Sequence, residues 1–205
     1  MIKAIFLIAL SLVPLLTAAQ LPSKGMFSLG VRSTHNAFSH DGQGLGVGGQ
    51  FRIQLSDRVN TEWFADYISI SGKHVRSNYA HIGWSVLFYL FKPQEQQRVL
   101  QPYISAGHCF DYNKKTAIRT PENTVDRWGS AVQGGIGTHL FVTDRFDVSI
   151  SSLYMIHLTP AIESHTHEVN GVAQVVYHEH QLNKLEGHLL TTISINYKIG
   201  QLWGR

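Results

Sequence analysis

Twelve histidines accompany a single cysteine in this 205-residue chain. Four of them form two His-x-His pairs, His165-Thr166-His167 and His178-Glu179-His180. Residues two apart on a strand point to the same side, so each pair presents two imidazoles together. A hairpin centred between Val172 and Ala173 would set His165 opposite His180 and His167 opposite His178. Four neutral imidazoles so placed suit zinc, copper or nickel. Asn170-Gly171 favours a turn centred there instead, and the alternative is a solvated polar loop. A second set is His157-Leu158-Thr159, with Glu163 or Glu168 beyond it and Pro160 next in the chain. A hydroxyl, a base and an orienting acid are the requirements of acyl transfer. A third set is made of charges that fall in one phase of alternating segments: Arg32, Arg52, Glu62, Asp66, Asp147 and Glu186, accompanied by Gln50, Gln54, Gln133 and Lys198. Charges withdrawn from water must pair or be hydrated. They form either a structural salt-bridge plug or a narrow gated pore. Arg52 and Glu62 flank the Ser56-Asp57-Arg58 turn and are set to face each other across it.

These residues need elements that hold them, and the elements follow from a period of two. Leu45, Val47, Gly49, Phe51, Ile53 and Leu55 alternate with Gly46, Gly48, Gln50, Arg52 and Gln54. Leu189, Thr191, Ile193, Ile195, Tyr197 and Ile199 alternate with Leu190, Thr192, Ser194, Asn196 and Lys198. Successive strand side chains face opposite ways, so one face is oily and the other wet. About ten such residues cross a bilayer when tilted. Eight strands are expected, near residues 25–37, 45–55, 59–69, 80–91, 100–112, 127–142, 146–158 and 184–199. No segment of the mature chain sustains the i, i+3, i+4, i+7 pattern of an amphipathic helix. Leu55-Ser56-Asp57-Arg58-Val59 and Val142-Thr143-Asp144-Arg145-Phe146 are near-identical short turns. The stretches 38–44, 72–78, 113–126 and 159–183 are longer and polar. Short connections on one side and long loops on the other place both chain ends on the short-turn side. Trp63, Tyr67, Trp84, Phe88, Phe91, Trp128, Phe141, Phe146, Tyr154 and Tyr197 fall within or near the ends of oily faces, where a membrane interface would hold them.

The first residues have the form of a secretory leader. Lys3 precedes an apolar run, Ala4 to Leu16, broken only by Ser11 and Pro14, and Thr17-Ala18-Ala19 places a cut after Ala19. Residues 20–205 then form one domain. The single Cys109 forbids an intramolecular disulfide and is expected to be a small buried or lipid-facing residue. The net charge is +3, of which Lys3 supplies one unit, and this is too mild to imply nucleic acid. Hydrophobic residues make up 43% and mean hydropathy is −0.06, values that a transmembrane barrel shares with soluble proteins because only alternate strand residues face lipid.

The leader, the eight alternating strands, the inward glycines (Gly46, Gly48, Gly83, Gly107, Gly135, Gly137) and the Asp-Arg turns resemble the small eight-stranded outer-membrane barrels, OmpA- and OmpX-like. Gln101-Pro102-Tyr103-Ile104-Ser105-Ala106-Gly107, and Gly134-Gly135-Ile136-Gly137 leading to Val142-Thr143-Asp144-Arg145-Phe146, carry the same likeness. The resemblance implies an all-β, antiparallel, up-and-down transmembrane barrel in the outer membrane of a Gram-negative cell, surrounded by lipid. The motifs specify fold and not activity, and the expected role is a structural or surface-interaction one exercised through the loops on an extracellular partner. The resemblance also implies assembly through a C-terminal strand, here Ile193, Ile195, Tyr197, Ile199, Gln201 and Trp203 followed by Gly204-Arg205. No cofactor and no nucleic acid are implied, and a non-enzymatic protein is expected. The enzyme alternative within such barrels is a lipid A deacylase of the PagL kind, for which His157 and Thr159 stand where that family has His-x-Ser. A soluble lipocalin-like binding barrel is the water-soluble alternative.

Overall fold

A computed structural model describes residues 24–39, 42–91, 99–159, 162–169, 172–179 and 187–203. The expected leader lies outside them. The strands are β1 (Met26–Ser39), β2 (Gly42–Gln54), β3 (Val59–Ser71), β4 (Val75–Tyr89), β5 (Leu100–Ala117), β6 (Thr124–Phe141), β7 (Phe146–His157), β8 (Ile162–Val169), β9 (Val172–Glu179) and β10 (Gly187–Gln201). Eight of them close an antiparallel up-and-down barrel in the order β1-β10-β7-β6-β5-β4-β3-β2. β8 and β9 form a separate two-stranded sheet in the connection between β7 and β10.

Alternation decides which way each residue faces. The outward phase carries Leu29, Val31, Leu45, Val47, Trp63, Tyr67, Ile82, Trp84, Ile104, Ile136, Ile150, Ile193 and Ile195, between 40% and 67% exposed. The inward phase carries Arg32, Gln50, Arg52, Glu62, Asp66, Asp147, Asn196 and Lys198, all under 10% exposed. Apolar groups outside and charges inside is the inverse of a water-soluble fold. On the outer face Phe27, Phe51, Trp63 and Trp84 make one file of neighbouring rings, 6.0–6.3 Å between centroids.

The two near-identical turns share one hydrogen-bond pattern: the amides of Leu55 and Ser56 donate to Val59 O, and those of Val142 and Thr143 to Phe146 O. Ser56 Oγ accepts from the Val59 amide at 3.2 Å, and Thr143 Oγ1 accepts from the Phe146 amide at 3.0 Å. The chain ends meet at this end of the barrel: the Gly25 amide donates to Gln54 O, and the Leu202 amide donates to Gly25 O. Gly25 has φ +82°, and a Cβ there would strike the Trp203 carbonyl oxygen. Only glycine fits that junction.

Three expectations are corrected. The segments 38–44, 72–78 and 113–126 are largely strand: β1 reaches Ser39 and β2 begins at Gly42, β3 reaches Ser71, β4 begins at Val75, and β5 and β6 run to 18 residues each. A tilted strand of about ten residues crosses a bilayer, so β5 and β6 continue as a hairpin in water, where polar side chains suit both faces. Polarity there marks solvent and does not mark a loop. The segment 159–183 likewise contains β8 and β9. Phe141 falls on the inward phase, 1% exposed, because it follows His139 and Gly137 in register with the lumen.

Candidate functional site

The barrel interior is layered along its axis. Nearest the short turns, Arg52 binds Asp147 through both oxygens, Nη2 to Oδ1 at 2.5 Å and to Oδ2 at 2.7 Å. Its Nη1 lies 2.8 Å from His139 Nδ1 and donates to Ser149 Oγ at 3.2 Å. Asn196 Nδ2 adds a second donor to Asp147 Oδ1 at 3.1 Å. Above it, Arg32 bridges Glu62 at 3.3 Å and Asp66 at 3.0 Å, with its guanidinium 4.4 Å above the Phe64 ring. Gln50 Nε2 donates to Glu62 Oε2 at 3.1 Å and to Asn196 Oδ1 at 2.7 Å, which links the two layers. Higher still, Phe64, Ile68, Ile70, Tyr79, Cys109, Ala131, Met155 and Leu190 form an apolar plug. Cys109 is wholly buried, with its thiol 3.2 Å from Met155 Sδ.

Of the inward charges expected from the sequence, Arg32, Glu62 and Asp66 meet in one cluster and Arg52 and Asp147 in another. Glu186 lies outside the described residues. Arg52 and Glu62 are register partners, as the hairpin suggested, yet their ion pairs go elsewhere. A long guanidinium reaches across a narrow lumen, and the planar fork fits a carboxylate presented end-on.

The mirror pairing of histidines is overturned. The β8–β9 ladder sets His165 against Val176, His167 against Gln174 and His178 against Glu163. Val169 meets Val172, so the chain between them is Asn170-Gly171, the dipeptide best suited to a two-residue hairpin connection. His180 lies outside the described residues. The hairpin is anchored to the tip of the β5–β6 hairpin. Asn123 Nδ2 donates to Val175 O at 2.8 Å, and Tyr177 Oη donates to Asn123 O at 3.2 Å. Burial at this junction raises the Tyr177 phenol above its ordinary range, so it remains a donor.

His157 is the last residue of β7 and faces inward. Its acid partner among the described side chains is Asp111 on β5, Nδ1 to Oδ2 at 3.2 Å; the side chains of the expected Glu163 and Glu168 lie outside that description. Thr159 sits beside Gly129. Sequence reasoning missed Asp111, His81 and His139. The signal was available in their phase: Cys109 and Asp111 continue the inward series Tyr103, Ser105, Gly107. On the outer face, His108 Nε2 and Ser130 Oγ lie 2.7 Å apart, so two polar groups among lipid-facing residues satisfy each other.

No protein-family model and no curated protein matches the chain. Several solved structures do. The chain is similar to Neisserial surface protein A, with 14% identity, a TM-score of 0.57, and 87% of this chain and 100% of that one covered. The N-terminal β-barrel domain of Pseudomonas aeruginosa OprF has 15% identity, a TM-score of 0.53, and the same coverage of 87% and 100%. A major outer membrane protein from Thermus thermophilus has 8% identity, a TM-score of 0.59, and coverage of 85% and 98%. The filled lumen, the apolar outer wall and these likenesses agree: the chain has the fold of the small eight-stranded outer-membrane barrels, OmpA- and OmpX-like.

Proposed function

We propose that this protein is an integral outer-membrane barrel of a Gram-negative bacterium, exported by a cleaved leader, whose working surface is its extracellular end. The carrying observation is the inversion of the wall, with large apolar side chains exposed outside and ion pairs buried inside. The lumen is filled by the two polar layers and the plug, which supports a structural or surface-interaction role over conduction. The extracellular side is preorganised for contact, because the β8–β9 hairpin is hydrogen-bonded to the β5–β6 tip. Assembly through the C-terminal strand, with Tyr197, Ile199 and Trp203, belongs to the same reading. His157 faces the lumen and pairs with Asp111, away from membrane lipid, which weighs against a deacylase acting on lipid A.

Membrane fractionation tests the location. The folded protein is expected in the outer-membrane fraction, released only by detergent, and resistant to unfolding in SDS without heating. Recovery as a soluble periplasmic protein would overturn the reading in favour of a lipocalin-like barrel. Mass spectrometry of lipid A tests the role: the acyl pattern is expected to be the same with and without the protein. Loss of an acyl chain that disappears in His157→Ala would replace the interaction role with catalysis.

A further inference from the structure

Toward the end of the barrel away from the short turns, the outer wall differs from side to side. Across β3 to β6 the register sets Tyr67, Ala80, Tyr112 and Trp128 in one outward row. Tyr67 and Trp128 are exposed, and the Tyr112 and Trp128 rings lie 5.1 Å apart. Amphipathic rings of this kind mark the level where hydrocarbon gives way to headgroups. The next outward row is Ser69, Asn78, Lys114 and Asp126, and the row beyond it is Ser71, Arg76, Thr116 and Thr124. Two cations therefore stand on this wall directly above the rings. The outward phase of β1, β2, β7 and β10 holds no Lys or Arg among the described residues.

Arg76 pairs with Thr116 and Asn78 with Lys114, so Arg76 and Lys114 occupy opposite corners of one four-residue square. Diagonal neighbours on a sheet stand about 7–8 Å apart, within reach of a shared group for two long side chains. Both are exposed, and neither side chain makes an ion pair or hydrogen bond among the described residues. Asp126 is the register partner of Lys114 across β5–β6, yet it accepts the Tyr112 hydroxyl at 3.0 Å and forms no ion pair with the lysine. Asn78 Oδ1 accepts from Ser69 Oγ at 2.8 Å, which leaves the Asn78 amide nitrogen as a further donor. Lys73 is exposed in the turn that leads into β4. A guanidinium, an ammonium and an amide thus share one patch, and all three donate. Their complement is an anion with several acceptor oxygens, which a phosphate supplies to the arginine fork and to the lysine point charge.

Depth identifies the carrier of that phosphate. The row beneath the rings is apolar, with Ile82 50% and Phe110 57% exposed to the hydrocarbon side. An anion held just above Tyr112 and Trp128 is therefore continuous with acyl chains lying against Ile82 and Phe110. A free phosphate gains nothing from that wall, whereas a lipid headgroup brings its own apolar contact. We propose that Arg76, Asn78 and Lys114, with Lys73 beside them, bind a phosphate on the headgroup of a phosphorylated glycolipid in the leaflet around the barrel. This rests on the outer-membrane reading and adds to it a defined lipid site on one side of the wall.

The test uses the full folded chain in micelles of an uncharged detergent, titrated with lipid A carrying its phosphates and followed by native mass spectrometry. Discrete lipid adducts are expected, and the same lipid stripped of phosphate should bind at least about tenfold more weakly. Arg76→Gln combined with Lys114→Gln should weaken binding of the phosphorylated lipid by a similar factor. Lys24→Gln combined with Arg145→Gln removes two cations at the short-turn end and should leave binding unchanged. Both patch side chains are exposed and unbonded, so the first variant should keep the heat-dependent mobility of the folded barrel in SDS. Should it lose that mobility, the comparison of the two lipids on the native chain decides. Equal binding of the two lipids would overturn the site, as would equal weakening by the two double variants. Displacement of the lipid by inorganic phosphate at comparable concentration would overturn the lipid assignment. A native chain found in the outer membrane without phosphate-dependent binding would overturn the site and leave the location standing. A soluble periplasmic native chain would overturn both.

Discussion

Arg52 and Glu62 sit opposite each other in the β2–β3 ladder, and the lumen still separates them into different ion pairs. Asp147 takes both its oxygens to Arg52, while Glu62 is held by Arg32 and Gln50. Each charge is buried, so removing one partner strands the other in a medium where isolated charge is costly. Arg52→Ala is expected to destabilise the barrel by about 3–5 kcal/mol, the usual range for breaking a buried pair. The double change Arg52→Met with Asp147→Leu should cost less than either single truncation. Urea unfolding in lipid vesicles measures both, and simple additivity of the two single effects would show that the pair is not a coupled unit.

The strands differ in what solvates them along their length. β5 leaves the apolar belt and β6 returns to it, and between them the two form a hairpin in water, where Tyr112 Oη donates to Asp126 and Thr116 meets Thr124. Their tip holds the β8–β9 hairpin through Asn123 and Tyr177. These contacts lie away from the lumen layers. Asn123→Ala combined with Tyr177→Phe is therefore expected to speed protease cleavage between residues 160 and 186 several-fold, with the unfolding midpoint of the barrel unchanged. An equal fall in barrel stability would mean that the hairpin is part of the barrel core. The element-level errors in the sequence reading have the same origin. Periodicity marks a strand only where its two faces meet different media. In water both faces are polar, alternation vanishes, and strand is mistaken for loop.

At the scale of the molecule, the wall separates lipid from a packed interior. Ile150 is 50% exposed on the lipid side, next in sequence to the buried Ser149. Ile150→Arg is expected to weaken folding into vesicles by about 2–4 kcal/mol if that position lies near the bilayer midplane. The same substitution at Asn78, beyond the belt, should have little effect. Equal effects at both positions would contradict the belt. The filled lumen makes a second statement of this kind: an eight-stranded barrel has room for its own side chains and little else. Planar-bilayer recordings of the native protein are expected to show no steady conductance. A stable open level would show that the plug formed by Phe64, Ile68, Met155 and Leu190 moves aside.

The sequence by itself determined the strand phases, the number of barrel strands and the equivalence of the Ser56 and Thr143 turns, because these depend on neighbours one to three residues away and on the medium each face meets. It also marked Arg32, Arg52, Glu62, Asp66 and Asp147 as inward. Only the tertiary structure decided who pairs with whom. Asp147 reaches Arg52, and Asp111 reaches His81 and His157, across separations of 95, 30 and 46 residues that follow from barrel closure and the stagger of the strands. The His-x-His pairs show the same limit at short range. A shift of the turn by two residues replaced His–His partners with His165–Val176 and His167–Gln174, since a ladder conserves register along its whole length.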